Sequence, residues 1–141
     1  MSIGRRLMAR VACLAIAGSL TFAGCSGGTD AEVRAVQDAR SAVVVARNAT
    51  RLLVDGRATG PYTQVVLSDT LDAVGDAEQQ LREASGIEPG RLGRARGVLQ
   101  AAEAVIDELD DAGADRLGES ELHRLDDLVG QLDAALKELR R

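Results

Sequence analysis

From Asp30 onward the chain sets apolar against polar residues with a helical period. The clearest stretch is near the end. Leu122, Leu125, Val129, Leu132, Leu136 and Leu139 alternate by three and four positions, which places all six on one face of an α-helix. Three earlier stretches repeat the pattern. One carries Val36, Ala39, Val43, Ala46, Thr50 and Leu53. The next carries Leu67, Thr70, Val74, Ala77, Leu81 and Ala84. The third carries Ala95, Val98, Ala102, Val105, Leu109 and Ala112, with Leu99 and Ile106 widening the face. The run Val43-Val44-Val45-Ala46 has the β-branched content of a strand. Its length, its flanking alanines and the lack of any partner strand predict a buried helix instead.

The breaks between stretches are chemically explicit. Asp55-Gly56 to Pro61, Ser85-Gly86 to Gly90 and Gly113 to Gly118 hold the only two prolines and a concentration of glycine. Proline suits the first turn of a helix and glycine the residue after its end. Four helices are predicted, over residues 31–55, 62–85, 91–112 and 119–140. Four amphipathic helices of similar length with short connections predict an antiparallel up-down-up-down four-helix bundle. The heptad spacing favours near-parallel, left-handed packing. Gly93 and Gly97, one turn apart, mark either a close helix crossing or a third helix that begins only near Arg94.

The first 25 residues follow other rules. Met1–Arg10 carries Arg5, Arg6 and Arg10 and no acid, and Val11–Ala23 is almost wholly apolar. A basic flank followed by a short apolar run is the layout of an export signal. The run is too short to span a bilayer, which takes about 20 apolar residues. It ends in Phe22-Ala23-Gly24-Cys25, which resembles the lipobox of bacterial lipoproteins, with phenylalanine where leucine is commonest. The resemblance implies that Cys25 receives a diacylglyceryl thioether and becomes the mature N-terminus after cleavage. It also implies that the protein is held on the extracytoplasmic side of the cell membrane. Gly4–Arg10 additionally resembles, loosely, a twin-arginine export signal, from which Gly4 and Met8 depart.

The expected organisation is therefore a signal peptide at 1–24, a lipidated cysteine with a flexible tether at 25–29, and a bundle domain at 30–141. Cys13 falls in the discarded segment, so the mature chain has no possible internal disulfide. Cleavage removes three of the 17 basic residues and none of the 22 acidic ones, leaving 14 against 22, a net charge of −8. That balance argues against nucleic-acid binding. So does the near absence of aromatic side chains, which are Phe22 and Tyr62 alone.

Candidate chemistry in the domain is sparse. Arg91, Arg94 and Arg96 open the third helix, and Lys137, Arg140 and Arg141 close the fourth. An antiparallel hairpin brings these six cations to one end, beside the start of helix one and so beside the anchor. They form a candidate membrane-facing cluster, since each cation near an anionic surface contributes about 1 kcal/mol. Glu78, Glu83, Glu88 and Glu138 offset part of that charge. Asp107, Glu108, Asp110 and Asp111, followed by Asp115, form the densest acidic run and a weak candidate for a hard cation. Solvated charge is the simpler account, and no EF-hand spacing is present. His123, the single histidine, lies four residues after Glu119. One imidazole does not make a zinc site, and the Glu-x-x-His pairs of di-iron bundles are missing. No catalytic set, phosphate loop or cofactor motif is present.

The function this implies is a non-enzymatic interaction or structural module of the cell envelope, with a protein or wall-polymer partner. The alternative is a ligand- or metal-binding lipoprotein that serves a transporter or sensor. That alternative needs a cavity which an Ala/Val/Leu core supplies poorly.

Overall fold

The computed structural model describes residues 29–84 and 87–141. Four α-helices account for most of them: α1 Thr29–Val54, α2 Gly60–Glu83, α3 Pro89–Ala112 and α4 Glu119–Leu139. At 1.5 Å per residue they are about 32–39 Å long. A short 3₁₀ turn, Ala114–Arg116, lies between α3 and α4.

The ends follow the local chemistry. After α1, Gly56 takes φ +70°, and the amides of Gly56 and Arg57 reach back to the carbonyls of Leu53 and Leu52 at 2.9 and 2.7 Å. This paired return closes the last turn and needs a left-handed residue, which glycine supplies without strain. Gly113 does similar work after α3 at φ +78°, its amide bonding Asp110 at 3.2 Å. Pro61 and Pro89 stand in the first turns of α2 and α3, where a missing N–H costs nothing. At the start of α4 the Glu121 carboxylate accepts the Gly118 amide at 2.9 Å, satisfying a donor that the helix leaves open.

Each helix packs on its neighbours in sequence, and α1 also packs on α4, so the four form a closed ring. Direction follows from the side-chain pairs. Arg40 meets Asp133 and Arg47 meets Asp126, so seven residues forward on α1 is seven back on α4. Arg94 with Glu138 and Arg124 with Glu108 give α3 and α4 the same antiparallel sense. The up-down-up-down bundle expected from the sequence is the architecture found.

The core is aliphatic. Alanine and valine come from α1, at Ala35, Val36, Ala39, Val43, Ala46 and Ala49, and large leucines face them from α4. Val43 and Ala46 are fully buried on an α-helix, as the apolar centre of that segment required. On α3 the buried line is Leu92, Ala95, Leu99, Ala102, Ile106 and Leu109, while Val98 and Val105 lie half-buried at its margin. Three buried threonines pair locally. The hydroxyls of Thr50, Thr63 and Thr70 donate to carbonyls four residues back, at 3.0, 3.3 and 2.7 Å.

Gly93 and Gly97 correct the sequence reading. The helix begins at Pro89 rather than near Arg94. Neither glycine marks a close crossing, because a Cβ added at either would meet nothing within 4 Å. Both face outward.

Candidate functional site

The lipobox residues Phe22, Ala23, Gly24 and Cys25 lie outside the described residues. What is described is the element they lead into. Helix α1 starts at Thr29, four positions after Cys25. Its start shares one end of the bundle with the last turn of α4, where the Arg140 guanidinium donates to Gln37 Oε1 at 3.5 Å. The end of α2 and the start of α3 complete that end, and the connections at 55–59 and 113–118 form the opposite one.

The six candidate cations are gathered at the α1 end, but four of them are engaged, Arg140 with Gln37 as above. Arg91 pairs with Glu88 at 3.2 Å and Arg94 with Glu138 at 2.6 Å. Arg96 has a different task, since its Nε and Nη2 both donate to the Leu81 carbonyl, at 3.1 and 2.5 Å. It therefore caps the C-terminus of α2, the end of a helix where a cation is favoured. Lys137, Arg140 and Arg141 are exposed and enter no ion pair among the described residues.

The acidic run lies at the opposite end. Glu108 pairs with Arg124, which holds its carboxyl below the ordinary range and raises the guanidinium. Asp110 accepts the Gln64 amide at 2.5 Å, tying α3 to the start of α2. Asp107 and Asp111 are exposed. Among the described residues no group of three or more His, Cys, Asp or Glu could hold a metal ion. The exposed ring of His123 lies with Nδ1 2.6 Å from the Glu119 carbonyl oxygen, so its partner is backbone rather than the Glu119 carboxylate.

Sequence reasoning missed a polar cluster between α2 and α3. Glu78 is only 5% exposed. Its carboxylate accepts from Gln100 Nε2 at 3.0 Å and lies 3.4 Å from Arg82 Nη2. The Gln100 bond is the main reason its pKa falls. Glu103, one turn further along α3, moves the other way. A hydrogen bond to Glu78, then burial, then the charge of Glu78 push its pKa up. Spacing does hint at Glu78, which follows Ala77 on the edge of the buried stripe, but its partner on α3 is not legible. Glu32, near the start of α1, is also buried, at 3% exposed.

The clefts on the surface are open. An apolar one lies between α3 and α4, about 310 Å³, with Gly97, Val98, Ala134 and Ala135 on its floor and Arg94, Gln131 and Glu138 at its rim. Clefts between α2 and α3 are acidic instead, lined by Asp72, Asp76, Glu103 and Asp107. No described helix is long and apolar enough to cross a membrane. No family model, curated protein or solved structure matches this chain.

Proposed function

We propose that this chain is a lipid-anchored protein of the bacterial cell envelope, held on the extracytoplasmic side of the membrane as a non-enzymatic interaction or structural module. The observation that carries this reading is the order of a basic flank, a short apolar run and Phe22-Ala23-Gly24-Cys25. The chemistry needs sulfur at position 25 as the nucleophile that takes up the diacylglyceryl group. Small residues before it let a peptidase reach the backbone. Each buried acyl methylene contributes about 0.8 kcal/mol, and two chains are what stable anchoring takes. With α1 starting at Thr29, the tether reaches at most about 14 Å. The bundle stands close against the lipid, positioned to meet a neighbouring envelope protein or a wall polymer through its helical faces.

The test is the mass of the native N-terminal peptide. A diacylglyceryl-bearing Cys25 as the first residue is expected, and Cys25→Ser should leave the protein unprocessed. An intact Met1 or an unmodified thiol at Cys25 in native protein overturns the assignment. Crosslinking in intact cells then seeks the partner. A melting midpoint raised by metal ions or metabolites would favour the ligand-binding alternative, because only a ligand of the native state raises it.

A further inference from the structure

The outward face of α3 and α4 departs from what a solvent-facing surface requires. On α3 the exposed residues across the middle include Gly93, Gly97, Ala101 and Ala104 beside Gln100, and on α4 they include Gly130 and Ala134 beside Gln131 and Asp133. Solvent-facing helix positions are ordinarily long and charged. Between the two helices runs the apolar cleft floored by Gly97, Val98, Ala134 and Ala135.

Charge on this face lies toward its two ends, where Arg94 pairs with Glu138 and Glu108 with Arg124 within one copy. The charges left unpaired among the described residues are of opposite sign: Lys137 and Arg141 at the α1 end, Asp111 and Asp127 at the other, all exposed. The heptads show the alignment: Gly97, Ala104 and Asp111 share one line of α3, and Asp127 and Ala134 share one line of α4, with Arg141 just beyond its end. A surface that is basic at one end, acidic at the other and small between is complementary to itself when reversed.

We propose that this face is the interface of a homodimer, with a second copy of the chain docked antiparallel across it. The two-fold axis lies in the interface, perpendicular to the helices and pointing from α3 toward α4. It sets α3 on the partner's α3 and α4 on the partner's α4, so each basic end meets an acidic one. An axis parallel to the helices sets like charges together and is excluded. Small residues let the backbones approach closely. Helices about 32–36 Å long with axes about 10 Å apart offer roughly 600–700 Å² per copy, just under the about 800 Å² of a standard interface. The dimer is therefore of modest size and forms as concentration rises.

This arrangement is compatible with anchoring at Cys25 and does not depend on it. The α1 and α4 sides of both copies fall on one side of the pair, so both tethers leave toward the same surface. It also gives the charges at the two ends a use other than binding headgroups.

Every helix and the apolar core among the described residues lie between Thr29 and Leu139, so a chain of residues 26–141 carries the described bundle. Sedimentation of that chain from about 1 to about 500 µM should show monomer passing to dimer. The dimer should weaken at least tenfold at about 1 M salt, where the screening length is about 3 Å. Ala101→Glu, near the two-fold axis, should abolish it while helicity is unchanged.

Charge reversal supplies an independent arm. Asp111→Lys with Asp127→Lys makes both ends basic, and Lys137→Glu with Arg141→Glu makes both acidic. Each double variant should be monomeric alone, and a mixture should form a heterodimer. Wild-type protein that stays monomeric throughout overturns the proposal. So does a dimer indifferent to Ala101→Glu, a mixture that fails to associate, or a monomer that binds anionic vesicles through its basic end.

Discussion

The charged residues here are unequal, and burial decides which of them matter. Arg96 donates twice to the Leu81 carbonyl from a half-buried position, whereas Arg94 meets Glu138 with both side chains well exposed. Hydrogen bonds from a charged group contribute about 1.5–3 kcal/mol, and exposed ion pairs about 0.2–1 kcal/mol. Arg96→Ala is therefore expected to lower unfolding free energy in urea by about 1–2 kcal/mol, and Arg94→Ala to leave the urea midpoint essentially unchanged. The pair Glu78 and Glu103 yields a pH signature. Glu78, Glu108 and Glu121 have lowered pKa values. Their stabilisation is present above the unfolded value near 4.3 and is lost as pH falls through the folded values. Glu103, whose pKa is raised, has the opposite sign, stabilising at low pH and losing that contribution as pH rises through its folded value. Glu103→Gln keeps a donor and removes the charge. Its melting midpoint should exceed that of wild type at pH 7, by about 0.5 kcal/mol of stability, and the gain should vanish near pH 4.

At the scale of the helix, the sequence was read well where size and spacing agreed. All six stripe residues of α4 are buried, because a leucine or valine at every three-four step leaves one choice of face. On α3 two interleaved lines competed. The larger Leu99 and Ile106 took the centre and turned Val98 and Val105 to the margin beside the cleft; volume settled what periodicity left open. Spacing hints at Glu78, but its partner could not be read, because Gln100 arrives from another helix. The resemblance of Phe22-Ala23-Gly24-Cys25 to a lipobox rests on the sequence alone, since those residues lie outside the described ones. The glycines divide by backbone conformation, which sequence alone does not show. Gly97→Ala adds a Cβ into open space on a helix, so it should raise stability by up to about 1 kcal/mol. Gly113→Ala, at φ +78°, should lower it by about 1–2 kcal/mol. Urea titration of the two variants tests that contrast.

For the molecule as a whole, the packing of α1 on α4 joins the two ends of the chain. That makes the bundle a single cooperative unit rather than two helical hairpins. The leucines of α4 make the point quantitatively. Leu122, Leu125, Leu128, Leu132, Leu136 and Leu139 are each 5% exposed or less. At about 1.5–3 kcal/mol for each buried leucine, the six together contribute roughly 9–18 kcal/mol, as much as the whole net stability of an ordinary domain, about 5–15 kcal/mol. Leu132→Ala alone should cost about 2–5 kcal/mol and shift one sharp urea transition without broadening it. A chain ending at Gly118 also loses the partners of Arg40 and Arg47 and leaves the alanine and valine face of α1 uncovered. It should lack a cooperative transition altogether, with reduced far-ultraviolet helicity and strong binding of a hydrophobic dye. A sharp two-state transition in that shortened chain would mean that α1, α2 and α3 close a core of their own and that α4 is an addition to it.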